Sequence, residues 1–436
     1  MSDPISNISR LASIIMTSAS NIETFYKADA TKPLVPSLDD TDPHPLDATV
    51  HPLEVKHSLQ ALEGACAQLC ATLARPDHTI LNDVLKRYLV LLEPACLGVI
   101  LRSRVADVLL DKPAGMPINE ISEYCGVEPK KLSRVLRALC SSHIFREVSN
   151  NVFANNRLSM QLVSTNPMWS AGMHTVDEPI GKAAVHLADT LLDPEWGSSY
   201  APEHTAFNRA AGYPRPLYEY LEGKDSEKGA EQGIRFGKAM VGWNRAADAG
   251  AIVSRYPWGQ LSPGTVVNDL GGDLPERIQQ AQGDVWPREC PEAIVEGRIE
   301  FKGIDLFTET PIPNCDVYLL KNVIHNLPSD LAHKVLTNTR RAMTPTSRIL
   351  INEFIIQSPV RVPAGEIKSS QAPDPLLPNF GVGRIRLHYL DISMLTLLNS
   401  EERTLEDYVQ LVEGSGLHLV KVWDLGESAL LELALA

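Results

Sequence analysis

The residues best suited to chemistry gather around Lys321, His325, Asn326 and Glu353, within CDVYLLKNVIHNLPSDLAHKVLTNTRRAMTPTSRILINEFII at 315–356. An imidazole has an unperturbed pKa near neutrality, so a histidine in a polar turn can take a proton from a substrate. A nearby carboxylate such as Glu353 can orient the ring. The elements that must place these groups follow from the pattern: a buried strand at 317–320, a polar turn, an amphipathic helix, and a second buried strand at 349–356. Lys321, His325 and Asn326 then fall just past the C-terminal end of the first strand, with Glu353 on the same edge. Ligands bind at that edge of open α/β sheets. The bland alternative is a turn histidine that satisfies backbone groups.

At 436 residues the chain can bury a large core and is expected to form two domains. Lys plus Arg total 40 against 54 Asp plus Glu, giving −14, which argues against nucleic acid and anionic membranes as partners. No apolar stretch of about 18 residues exists for a membrane span, and no basic-then-apolar leader opens the chain. Seven cysteines without CxxC pairs suit reduced thiols and a cytoplasmic location. Cys66 and Cys70, four apart, read as one packed helix face rather than a metal site.

Apolar positions at helical spacing (Ile5, Ile8, Leu11, Ile14, Ile15, Ile22) predict an amphipathic helix at 5–29. A Pro/Asp-rich linker follows it. That helix must bury its face, and a partner subunit is one candidate. Long apolar-periodic runs at 59–73 and 81–106 lead into a winged helix-turn-helix pattern, with Gly126 at the turn, Pro129 opening the second helix, and two short strands after it. Lys130, Lys131, Arg134 and Arg137 could make that element a DNA reader; the acidic chain favours a structural, dimerising role. Within 163–260, Met240 and Trp243 share a helix face and are candidates for lining a substrate pocket, although such residues also build ordinary cores. From Gly264 strands and helices alternate, as in a doubly wound sheet: TVVNDLGG, IEFKGIDLF, the pair above, and the closing LHLVKVWDL and SALLELALA.

The run DVYLLKNVIHNLPSD…RRAMTPTSRILINEF resembles the catalytic segment of S-adenosylmethionine (SAM)-dependent O-methyltransferases, in particular the plant caffeic-acid type and its fungal secondary-metabolite relatives. AFNRAAGYPRPLYEYLE, RFGKAMVGWNRAAD and the amino-terminal helix with its PSLD linker extend the likeness. It departs at His325-Asn326-Leu327, where the family usually carries HDW. The resemblance implies an α/β chain organised as an N-terminal helix and linker (1–50), a winged-helix dimerisation domain (51–165), a helical acceptor-pocket region (166–260) and a Rossmann-like class I methyltransferase domain with a mixed sheet (261–436). It implies a homodimer that methylates a hydroxyl or carboxyl of a small aromatic or polyketide-type metabolite without a metal. His325 would be the general base, with Glu353 and Glu402 (in SEERTLEDY) as orienting carboxylates. Asn326, Met240, Trp243 and Met394 would contact the acceptor.

For SAM, Asp269-Leu270-Gly271-Gly272 matches the first half of the family's DxGGGxG turn. Asp305 matches the acid beside the adenine, Leu306 would pack on the ring, and Lys321 would lie near the cofactor. Asp273, in DLPERI, matches the acid that holds the ribose, yet it follows Gly272 directly. On the order of 20 residues, a helix plus a strand, are missing between the two motifs. Their loss would remove a helix N-terminus that normally meets the cofactor and leave one sheet edge short. Three readings follow: a methyltransferase with a reduced SAM pocket, a pericyclase or cyclase on the same fold, or a homologue deficient in its cofactor site.

Overall fold

The computed structural model describes residues 6–436 apart from 33, 82–91, 248, 272–277, 280 and 363–370. The chain divides into two compact units, one of 1–250 with 358–389 and 395–399, the other of 251–357 with 390–394 and 400–436.

The first unit is mostly helical. Helix α1 (Asn7–Lys27) starts where the Ser6 hydroxyl accepts from the Ser9 N–H, a favoured cap. Its apolar stripe is covered in part within this chain: Leu11 is fully buried against Ala61 and Ala65 of α2 (Leu53–Leu73) and against Ala372, Leu376 and Phe380, with Ile14 and Ile15 partly buried beside it and Ile8 exposed. Small residues on α2 permit the close approach; a Cβ at Gly64 would lie 2.3 Å from the Phe380 carbonyl oxygen. Overpacking of this kind costs about 1–3 kcal/mol, so Gly64→Ala is expected to lower the thermal midpoint, and an unchanged midpoint would refute the close contact. Cys66 and Cys70 are exposed, because the buried face of α2 runs through Val55, Ala61, Gly64 and Ala65. The expected packed cysteine face is thereby corrected.

Of the long run at 81–106, residues 82–91 lie outside the described residues, and α3 spans Leu92–Ser103. The winged element forms as the pattern requires. Strand β1 (Met116–Pro117), helices α4 (Ile118–Cys125) and α5 (Pro129–Ser141), and strands β2 (Arg146–Ser149) and β3 (Val152–Ala154) enclose Ile121, Leu132, Leu136, Leu139, Phe145 and Phe153. Gly126 ends α4 at φ 68°, a left-handed position that glycine adopts freely. Arg137 pairs through both its Nε and Nη2 with Glu147 at 2.9 and 2.7 Å, so this cation of α5 is engaged within the wing. Further along, α6 (Pro167–Asp177) packs on α7 (Glu227–Ala246).

The second unit is a five-stranded sheet in the order β4-β5-β6-β8-β7. Strands β4 (Val267–Asp269), β5 (Val317–Lys321) and β6 (Arg348–Glu353) are parallel, while β8 (Ala429–Leu435) runs antiparallel to both β6 and β7 (Leu417–Asp424). Ile349, Leu350 and Ile351 are all fully buried, as continuous apolar runs in parallel strands covered on both faces must be. Helices α8 (Ser329–Ala342) and α10 (Leu405–Gly414) lay Ala332, Val335, Leu336, Leu405, Tyr408 and Val412 into this core.

IEFKGIDLF is not a strand. Residues 299–305 form no helix or strand, and among the described residues no strand pairs with the outer edge of β4, where Val266 and Val267 are 52% and 43% exposed. A strand needs a neighbouring ladder, and among the described residues none is offered to this segment.

Candidate active site

The site is built at the C-terminal ends of β5 and β6. After Lys321 the chain turns through Asn322 at φ 53°, makes a single 3-10 turn over Ile324–Asn326, and enters α8 past Pro328. Glu353, the last residue of β6, holds this turn from below. Its Oε1 accepts from the backbone N–H groups of Val323 at 2.9 Å, Ile324 at 2.8 Å and, at a longer 3.4 Å, His325. His325 is 8% exposed, and its Nδ1 lies 2.6 Å from Glu402 Oε1 and 3.9 Å from Glu353 Oε2. The two carboxylates thus divide the work: Glu402 engages the ring, and Glu353 fixes the backbone that carries it. With Nδ1–H donated to Glu402, Nε2 is the nitrogen left without a protein partner among the described residues.

Burial alone would push the His325 imidazole down, but the Glu353 charge and the Glu402 hydrogen bond outweigh it and raise its pKa to about 9. Burial likewise pushes the Glu353 carboxyl up, opposed by the His325 charge. Glu353 Oε2 and Glu402 Oε2 are buried without hydrogen bonds. Ligand atoms of His325, Glu353 and Glu402 all lie within 4.8 Å of one another. A separation of 2.6 Å accommodates a shared proton. Two ligands on a tetrahedral zinc, at bonds of about 2.0–2.1 Å, would stand roughly 3.3 Å apart.

The remaining candidates are distributed around this centre. Lys321 is the final residue of β5; burial lowers its pKa, opposed by Asp269 and Glu353, and its ammonium makes no hydrogen bond among the described residues. Asp269 ends β4 and is exposed, and Leu270 N–H donates to Leu319 O at 2.8 Å before Gly271. Gly272 and Asp273 lie outside the described residues. Asp305 is exposed but committed: its carboxylate accepts from Phe307 N–H at 2.8 Å and Thr308 Oγ1 at 2.7 Å, which holds its pKa down. Leu306 packs against the sheet core. The Asn326 side chain donates to Asn322 O at 3.0 Å and braces its own turn. Met394 is buried on α9 (Ile385–Leu398), within the stretch 390–394 assigned to the second unit. Met240 and Trp243 lie half-buried on α7 of the first unit.

Sequence reasoning passed over Arg403, which is 2% exposed and donates to Ile324 O, Leu327 O and Ser329 Oγ around His325. It also passed over the buried pair of His174 Nδ1 and Glu178 Oε2, 2.9 Å apart, which Arg235 joins from α7. The signal available for Arg403 was its place directly after Glu402.

Residues 241–418 match the O-methyltransferase domain family and 88–165 the O-methyltransferase dimerisation domain. The 3-O-methyltransferase 2 of Phanerochaete chrysosporium is 37% identical over 98% of this chain and 97% of its own length. O-methyltransferase gedA of Aspergillus terreus is 30% identical over 85% of each. The alignment with the Phanerochaete protein runs to 450 positions, and 98% of this chain is about 427 residues, so about 23 positions have no counterpart here. That is near the length of a helix plus a strand with their turns. Among solved structures, the fold matches mitomycin 7-O-methyltransferase MmcR (TM-score 0.63, 19% identity, 85% of this chain and 99% of that one) and a pericyclic reaction enzyme (0.64, 16%, 97% and 100%). The helical region, the mixed sheet and a relative at 37% identity along nearly the whole chain agree: this protein belongs to the O-methyltransferase family, whose methyl donor is SAM.

Proposed function

We propose that the chain, as a homodimer, methylates a phenolic or enolic hydroxyl of a small aromatic or polyketide-type metabolite, with His325 as general base. The observation that carries this reading is the 2.6 Å contact of Nδ1 with Glu402, which fixes the tautomer and leaves Nε2 to accept the acceptor's proton. A phenol has a pKa of about 10. Against an ordinary histidine the transfer is uphill by roughly 3.5 units, near 5 kcal/mol. A base near 9 brings the two within about one unit, about 1.4 kcal/mol. A carboxylic acid is already ionised at neutral pH and needs no such base, so the hydroxyl acceptor fits better.

When bound, SAM supplies an electrophilic methyl on a sulfonium. The described residues that fit it are Asp269 and the half-buried, unbonded Lys321 ammonium, both at the strand edge where ligands bind. Lys321→Met is expected to weaken SAM binding roughly 10-fold or more, the worth of a hydrogen bond to a charged group. Titration calorimetry reads this, and unaltered affinity would remove Lys321 from the cofactor site.

A second reading, cyclisation without methyl transfer, draws on the unpaired edge of β4 and on the Asp305 carboxylate being spent on its own turn. Product with no gain in mass would mark it. Incubation with SAM and phenolic acceptors, followed by mass spectrometry, separates the two.

A further inference from the structure

We propose that Arg403 is a positioning residue of the proton-transfer site: its buried guanidinium clamps the turn that carries His325 and balances the charge behind the imidazole. The inference rests on the reading of His325 as the base.

The clamp is geometric. Nη1 donates to Ile324 O at 3.0 Å, and Nη2 donates to Leu327 O at 2.8 Å and Ser329 Oγ at 3.2 Å. These anchor points bracket His325 on both sides. The Arg403 carbonyl in turn accepts from Ile356 N–H at 3.0 Å, and Thr404 bridges to Ile356, which ties the clamp to the chain leaving β6. One short segment therefore delivers Glu402 to the ring and Arg403 to the carbonyls on either side of it. The planar fork of arginine reaches several acceptors at once; a lysine ammonium is a point on a flexible stem and cannot span them.

The charge argument is separate. The charged groups acting on the imidazole are Glu353 from β6, and Glu402 and Arg403 from the segment before α10; Tyr408 of α10 and Lys321 at the end of β5 act on Glu353 behind it. Asp391 of α9 accepts from Glu402 N–H at 3.0 Å. Glu401 approaches Arg403 at 3.3 Å but is half exposed, so its charge is screened. Two fully buried carboxylates thus face Arg403 inside and Lys321 at the rim. An unbalanced buried charge is costly, so without the guanidinium the ring binds its proton more tightly. The arginine keeps the base available at lower pH.

The test is the pH profile of kcat/KM for the wild type, Arg403→Lys, Arg403→Gln and His325→Ala, with SAM and a phenolic acceptor. Arg403→Lys keeps the charge and is expected to leave the ascending limb in place while kcat falls about 10²-fold, the effect of a displacement near 1 Å. Arg403→Gln is expected to move the limb upward by about one pH unit or more. An arginine that merely braces the fold would lower the rate equally at every pH. Full activity in both variants, or equal losses with an unmoved limb in both, would overturn the inference. Should Arg403→Gln fail to fold, Arg403→Lys decides alone: a lowered kcat at an unchanged thermal midpoint and KM supports the clamp, and a wild-type kcat, or a loss that comes with a lowered midpoint, overturns it. A fully active His325→Ala would instead sink the reading of the base. An inactive one beside Arg403 variants that behave as wild type would sink only the role of Arg403.

Discussion

Replacing His325 by alanine lowers methyl transfer by about 10²–10⁴-fold, the usual contribution of a general base, while SAM binds with wild-type affinity. The effect is expected on kcat because, in the proposed reading, the imidazole acts on the acceptor's proton, whereas Asp269 and Lys321 are the residues assigned to the cofactor. Glu402→Gln tests the same base through its partner: the plateau rate is expected to fall and the limb to move toward neutral pH. It preserves the shape of the Nδ1 contact but withdraws the charge that raises the ring's proton affinity. Steady-state kinetics beside calorimetric titration of SAM read both effects. Loss of SAM binding in His325→Ala would mean the histidine supports the fold of the site, and full activity would mean that the base lies elsewhere.

The pH profile is the second large effect. The folded-state pKa of His325 is raised to about 9, so the imidazole is protonated below that value and becomes a base above it. The rate is therefore expected to climb about tenfold per pH unit through neutrality and to level off near pH 9. At pH 7, two units below, roughly one ring in a hundred is free to accept a proton. Glu353→Gln keeps an oxygen to accept from Val323 and Ile324 N–H but removes the charge, so its limb shifts toward neutral pH. Stability moves in the opposite sense to activity. A group whose pKa is raised on folding stabilises fully below its unfolded value of about 6.5, and that contribution is lost as pH rises through about 9. The thermal midpoint of the wild type should fall across that window, and His325→Gln should flatten the dependence. A rate that plateaus by pH 7 would contradict the coupled cluster.

The site-bearing unit was legible because its physics is local. Residues 317–320 and 349–351 are continuous apolar runs, which parallel strands buried on both faces demand, and the turn between β5 and α8 had to carry His325. What pattern alone could not supply was Glu402. It is 77 positions from the histidine it touches, and only the resemblance brought it in. Arg403 escaped because a charged run such as SEER normally signals a solvated face, whereas here Ser400, Glu402 and Arg403 are buried and Glu401 alone of the four is exposed. The segment IEFKGIDLF misled for a different reason. Strand pairing is a property of two segments, and the alternation in one of them says nothing about whether its partner exists. Helix α1 was expected to seek cover, and the cover lies in α2 and in 372–380, some 360 residues away in sequence. Asp305 shows the limit of matching a motif: the residue type is right, yet its carboxylate closes its own turn.

The measurement that bears most directly on the account is turnover of methyl-labelled SAM by the purified full-length protein with a panel of phenolic polyketide-type acceptors, followed by mass. The account predicts a product heavier by one labelled methyl, formed in step with S-adenosylhomocysteine and fastest near pH 9. Absence of SAM binding and consumption by the folded protein, or acceptor turned over with no gain in mass, would contradict it.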